Sequence, residues 1–158
     1  MTLEEFVAKG WNDHGDDAAG VFARFPEGVL LVKDPAHLPA LAGLIVHVGG
    51  EHLGRWRESI ALLERLEKSP VFDRATVPSK AVLRSMSVLH RCAGHREEEE
   101  RCARASRTGG DVPAASDRIR VLAAAAAVLL GQGRLAEAKA DFLGAVSLIL
   151  SLVILGLT

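Results

Sequence analysis

The residues able to do chemistry fall into three clusters. His47, Glu51 and His52 surround Gly49-Gly50. Paired histidines beside a carboxylate are the raw material of a metal ligand set or an acid–base pair. The spacing argues against both. Five residues along a continuous α-helix put the two rings on different faces, and no H-E-x-x-H pattern occurs. These are read as helix-end histidines. His90, Cys92, His95 and Cys102 lie close together, but zinc needs ligands converging on one point. His90 and Cys92, two apart on a helix, point in different directions. Buried thiols and surface histidines are expected there. The run Asn12-Asp13-His14-Gly15-Asp16-Asp17 lacks the alternating ligands and closing bidentate Glu of a calcium loop. It reads as a solvated turn, with Asp16 capping the next helix. Phosphate-binding glycine loops and G-x-S-x-G elbows are absent. No metal and no cofactor is expected. One enzymatic reading stays open: an irregular helical bundle with His47, Glu51 and His52, or His90 and His95, in a cleft. Such an enzyme would gather its histidines in one concave pocket, whereas a binding module would show an open groove.

The elements that must position these residues are helices. Leu38, Leu41, Ile45 and Val48 recur at spacings of 3, 4 and 3, and Trp56, Ile60, Leu63 and Leu66 repeat the pattern. Val82, Met86 and Leu89 mark another face, as do Ile119, Leu122, Ala126 and Leu129. No convincing period-two alternation interrupts them. Eight helical stretches in four pairs follow, at roughly 2–25, 35–69, 78–107 and 115–150, in a single domain over 1–158. The first pair divides into 2–13 and 16–24. Pro26 and Gly28 end it, and residues 28–32 form an extended piece or a turn. Asp34-Pro35 reads as an N-cap with proline in the first turn, and Gly49-Gly50 weakens the end of 35–50. The run Thr108–Pro113 is the clearest loop. The fold class is all-α.

Four glycines keep a common interval. Gly15, Gly54, Gly94 and Gly133 are separated by 39, 40 and 39 residues, the mark of a stacked repeat. Around Gly133, Glu137 follows at four residues, Ala138 at five, Phe142 at nine and Ala145 at twelve, and Ala126 precedes it by seven. The glycine permits a tight turn and the small residues let helices approach. The acid sits where the helix dipole favours it, and Phe142 plugs the gap to the neighbouring pair. Gly54, Glu58, Ser59, Leu63 and Leu66 repeat these offsets. Gly94, Glu98, Ala103 and Ser106 do so with Glu99 at a small-residue position, and Gly15, Gly20, Arg24 and Glu27 give a fainter copy.

The pattern resembles the tetratricopeptide repeat, most closely in GQGRLAEAKADFLGAV. The period exceeds that family's 34 residues and leaves about five extra residues for each connection. The resemblance implies stacked helix pairs whose first helices line a concave groove for a peptide or partner helix. It places Lys9, Asn12, Asp13, Glu51, His52, Arg84, Arg91 and Arg120 near that groove. Arg84, Arg91 and Arg120 then form a basic strip for an acidic partner segment. The function implied is a non-catalytic protein–protein interaction module or adaptor. A related reading is the repeat portion of a bacterial signalling or transcription regulator.

Composition narrows the classes. Hydrophobic residues make up 49% and charged residues 25% of 158, enough for a buried core. The net charge of −1 gives no global field for nucleic acid or an anionic membrane. Arg101, Arg104, Arg107, Arg118 and Arg120 are offset by Glu97–Glu100 and lack interleaved aromatics. Nucleic acid is therefore not expected as a partner. The start is acidic and amphipathic, with no charged-then-apolar leader, so a cytoplasmic chain with reduced thiols is expected. The segment Phe142–Thr158 carries no charge, and twelve of its seventeen residues are Ala, Val, Leu, Ile or Phe. Helices apolar all round need cover all round. Three origins of that cover are open: a homodimer interface through Phe142, Val146, Ile149, Leu152 and Val153, or a fold back over the stack; a short membrane anchor; or a further repeat in a longer protein.

Overall fold

The computed structural model describes residues 1–107 and 114–155, and these are helical, with no strand among them. The elements are α1 (Leu3–Ala23), α2 (Phe25–Leu31), α3 (Leu38–Ile45), α4 (Trp56–Glu67), α5 (Val77–Ala93), α6 (Arg96–Ala105), α7 (Ala114–Gly131) and α8 (Leu135–Ile154). The all-α reading holds. The expected loop at 108–113 and the last three residues of the apolar tail lie outside the described residues.

Local sequence explains several of the starts. Thr2 and Glu5 form a reciprocal capping box at α1, Thr76 caps α5, and Asp34 accepts from the Ala36 N–H at 2.7 Å. The expected division of the first pair survives as a break inside α1. Asp17 leaves helical geometry (φ −142°, ψ 65°), and its carboxylate accepts from the Gly20 N–H at 2.8 Å. Asp17, not Asp16, is thus the cap. Pro26 does not end a helix but sits in the first turn of α2, where a missing N–H costs nothing, and residues 28–31 continue that helix.

The stretch expected at 35–50 departs most. Residues Pro35–His37 form a 3₁₀ turn, α3 follows, and Val46–His52 widens into a π-helix through Gly49-Gly50 instead of ending there. Gly49 makes this packing possible: a Cβ there would lie 2.1 Å from Ser59 Oγ and 2.5 Å from the Phe22 ring.

Three of the four periodic glycines are turns in the left-handed region. Gly54 (φ +62°) lies between the π-helix and α4, Gly94 (φ +79°) between α5 and α6, and Gly133 (φ +70°) between α7 and α8. Gly15 is an ordinary helical residue in α1. Five residues past each left-handed glycine, Ser59, Glu99 and Ala138 are buried; twelve past, Leu66, Ser106 and Ala145 are buried.

The main core lies among α1 to α5, built on Phe25, Leu38, Leu41, Leu44, Ile45, Leu63, Leu66, Leu83, Met86 and Leu89, all fully buried. A smaller cluster of Val88, Cys92, Ala125, Val128, Leu129 and Ala138 joins α5, α7 and α8. Helix α8 packs mainly on α7. Phe142 was expected to plug a gap, but is 59% exposed. Its counterpart Leu63 is fully buried in the main core, and no described helix follows α8 to cover Phe142. The tail does not fold back; it continues α8 with Ile149, Leu150, Val153 and Ile154 exposed and Val146 and Leu152 half-buried. Among the described residues, no helix is long and apolar enough to cross a membrane.

Candidate functional site

A groove of about 610 Å³ takes its lining from four parts of the chain. Trp11 comes from α1 and Gly43 from α3, with Val46, His47 and Glu51 from the π-helix. Ala81, Arg84, Ser85 and Val88 come from α5, and Arg120, Val121, Ala124, Ala127 and Val128 from α7. Small and β-branched residues make its floor, and Arg84 and Arg120 add cationic groups. Of the residues expected at a groove, Glu51, Arg84 and Arg120 line this one. Lys9, Asn12 and Asp13 stand outside it on α1, with Lys9 and Arg24 paired to Asp13 at 2.9 and 3.3 Å. The Lys9 contact, then Arg24, holds the Asp13 carboxyl below its usual value.

Arg91 does not join a basic strip. It faces a separate cleft of about 720 Å³ between α4, α5, α6 and α8. There its Nη2 and Nε donate to Asp141 at 2.5 and 3.2 Å, and its Nη1 lies 3.5 Å from Glu99. Glu99, where a small residue was expected, is only 1% exposed and is also held by Arg118. Its charge is tolerated because two guanidiniums meet it. Arg55–Glu58 and Arg134–Glu137 pairs occupy the same cleft, so most of its charge is spent internally.

The histidines are where sequence spacing misleads. His47 and His52 lie on one face, ring centroids 4.7 Å apart, because the π-helix brings residue i+5 back over residue i. His14, from α1 just before its break at Asp17, joins them: its Nε2 is 3.2 Å from His47 Nε2, and His52 Nε2 is also 3.2 Å from His47 Nε2. His14 was absent from the expected site because it is 33 residues away in sequence, and only the α1–π-helix contact reveals it. The outer ring nitrogens are anchored. His14 Nδ1 donates to the Trp11 carbonyl at 2.7 Å, and His47 Nδ1 donates to the Glu51 carboxylate. Trp11 lies against His47, centroids 4.8 Å apart. Burial, then the neighbouring His47 and His14, lowers the pKa of His52. Glu51 is fixed further by its backbone carbonyl, which accepts from the Gln132 amide at the end of α7.

The second histidine pair differs. His90 was expected at the surface but is 5% exposed, its Nδ1 3.3 Å from His95 Nδ1 and its Nε2 without a partner among the described residues. Desolvation, then His95, lowers its pKa. Cys92 and Cys102 are free and buried, as expected, and burial pushes their thiols up to about 12 and about 11. Comparison with family models, with curated proteins and with solved structures yields no match.

Proposed function

We propose that this chain is a non-catalytic interaction module of tetratricopeptide-like design that binds a protein or peptide segment along the groove of its first helices. The observation that carries the reading is that one continuous groove draws its lining from α1, α3 with the π-helix, α5 and α7. The left-handed glycines between the paired elements support it further. The preferred partner segment is aliphatic with an acidic side chain or carboxylate, matching an alanine- and valine-rich floor beside Arg84 and Arg120. A cytoplasmic setting accords with two free buried thiols.

A displayed peptide library tests this. Selected sequences are expected to pair aliphatic residues with an acid. Their affinity is expected to fall at least tenfold in Arg84→Glu and in Ala124→Trp, which fills the exposed floor. A library that yields no binder sensitive to either substitution refutes the groove.

Self-association through α8 belongs to the same reading. Phe142, Leu143, Ile149, Leu150, Val153 and Ile154 are exposed on a helix with no charge after Asp141. Such a surface is self-complementary, and a second copy covers it by pairing α8 with α8. Light scattering is expected to give a dimer that Ile149→Glu with Val153→Glu converts to a monomer. A dimer that survives both charges removes α8 as the interface.

A further inference from the structure

His14, His47 and His52 each offer one ring nitrogen, and these atoms all lie within 4.8 Å of one another. Two of the three separations are 3.2 Å. The edge of a tetrahedron around zinc, at Zn–N distances of 2.0–2.1 Å, is about 3.3–3.4 Å. Two of the three edges thus match the spacing that one ion would impose, and the third lies within 4.8 Å.

The hydrogen bonds behind the rings sharpen this. A carbonyl and a carboxylate can only accept. The Trp11 carbonyl therefore fixes the His14 proton on Nδ1, and Glu51 fixes the His47 proton on Nδ1. In the neutral rings both Nε2 atoms then carry lone pairs, and these atoms meet at 3.2 Å. Two acceptors facing each other repel unless a positive charge lies between them. A carboxylate or carbonyl behind a ligating imidazole, setting its tautomer and raising its basicity, is the usual support of a metal-bound histidine. The backbone contributes as well. A π-helix gives up regular i→i+4 bonding and is frequent at functional sites; here it is the feature that makes His47 and His52 neighbours.

We propose that His14, His47 and His52 form a three-histidine site for a divalent transition-metal ion, zinc foremost, with a fourth coordination position open. Neutral imidazoles suit zinc better than the hard cations calcium and magnesium, which take oxygen ligands. His52 is exposed, so the open position is reachable from solvent. His47 and Glu51 also line the groove, which places the ion at the groove's edge. The site does not depend on a partner occupying that groove.

Full-length protein stripped with a chelator and titrated with Zn²⁺ in a calorimeter provides the test. One ion per chain is expected. His14→Ala and His47→Ala should each weaken binding by roughly 100-fold or more, and Glu51→Gln by about 10–100-fold through the lost support of His47. His90→Ala with His95→Ala should leave the affinity unchanged. Far-UV circular dichroism checks that each variant folds. Should His14→Ala or His47→Ala not fold, the exposed His52→Ala decides, with the same loss expected. Absence of saturable binding at one equivalent, or binding that persists undiminished in His52→Ala, overturns the site.

Discussion

Replacing Arg91 by Met tests how the last pair is held to the rest of the fold. Arg91 on α5 grips Asp141 on α8 with two hydrogen bonds, at 2.5 and 3.2 Å, in a fork that Lys cannot copy. The Asp141 side chain is 8% exposed and that of Arg91 is 21% exposed. The Asp141 hydrogen bond is also the main cause raising the Arg91 pKa above its usual value. Removing the guanidinium strands a nearly buried carboxylate, whereas Glu99 keeps Arg118. Losing one partner of a buried pair costs about 3–5 kcal/mol. The partial exposure of Arg91 admits some water, so about 3 kcal/mol is expected here. At a urea m-value of about 1–3 kcal/mol/M, that lowers the midpoint by roughly 1–3 M. Urea unfolding followed by far-UV circular dichroism measures it. Arg101→Met is the control: Arg101 and Glu98 are 42% and 48% exposed, and an exposed pair is worth less than about 1 kcal/mol. Combining Arg91→Met with Asp141→Leu should recover most of the loss, because an apolar pair removes the stranded charge. A loss below about 1 kcal/mol in Arg91→Met, or no recovery in the double variant, would refute this account of the α5–α8 contact.

Other consequences can be measured on the same protein. Gly133→Ala should cost about 1–2 kcal/mol through the left-handed backbone alone, since open space surrounds the position; unchanged stability would mean the turn adapts freely. His90 is buried beside His95, and burial, then the charge of His95, lowers its pKa in the fold, with Glu98, Arg101 and Glu64 adding smaller and partly opposed effects. The unfolded chain therefore takes up a proton near pH 6.5 that the native chain resists. Stability should be full above that pH and decline as the pH falls below it, and His90→Asn should flatten the decline in urea midpoints. With thiols pushed up to about 12 and about 11 and both side chains buried, Cys92 and Cys102 should not react with a thiol reagent at pH 8 until the protein unfolds, when two equivalents should react; prompt native labelling would contradict their burial.

The helices were legible because their causes are local. Asp34 before Pro35 and the 3–4 spacing of Trp56, Ile60, Leu63 and Leu66 each act within a turn or two. Gly54, Gly94 and Gly133 were legible for the same reason: a left-handed turn between helices requires a residue without a side chain, and the sequence supplies one at a steady interval. Gly15 keeps the interval without the turn, because the break in α1 falls two residues later, at Asp17, where the side chain caps the next turn.

The candidate site was less legible, because its geometry depends on where chains cross. Arg84 and Arg120 line one groove, while Arg91, on the same helix as Arg84, turns to Asp141 instead. Position in the repeat does not say which acid lies opposite. Glu99 looked like a departure from the small-residue pattern and is an ion-paired buried residue, since Arg91 and Arg118 arrive from two other helices.

An all-helical chain, its main turns and its principal apolar faces follow from residue order, because propensity, capping and periodicity are short-range. Tertiary structure alone decided that His14 meets His47 and His52, that Phe142 faces outward, and that the backbone widens at Val46–His52. An α-helix would have set His47 and His52 about 140° apart. The packing of Gly49 against Ser59 and Phe22 suits the π-helix that brings them together, and no count of residues along the chain contains that contact.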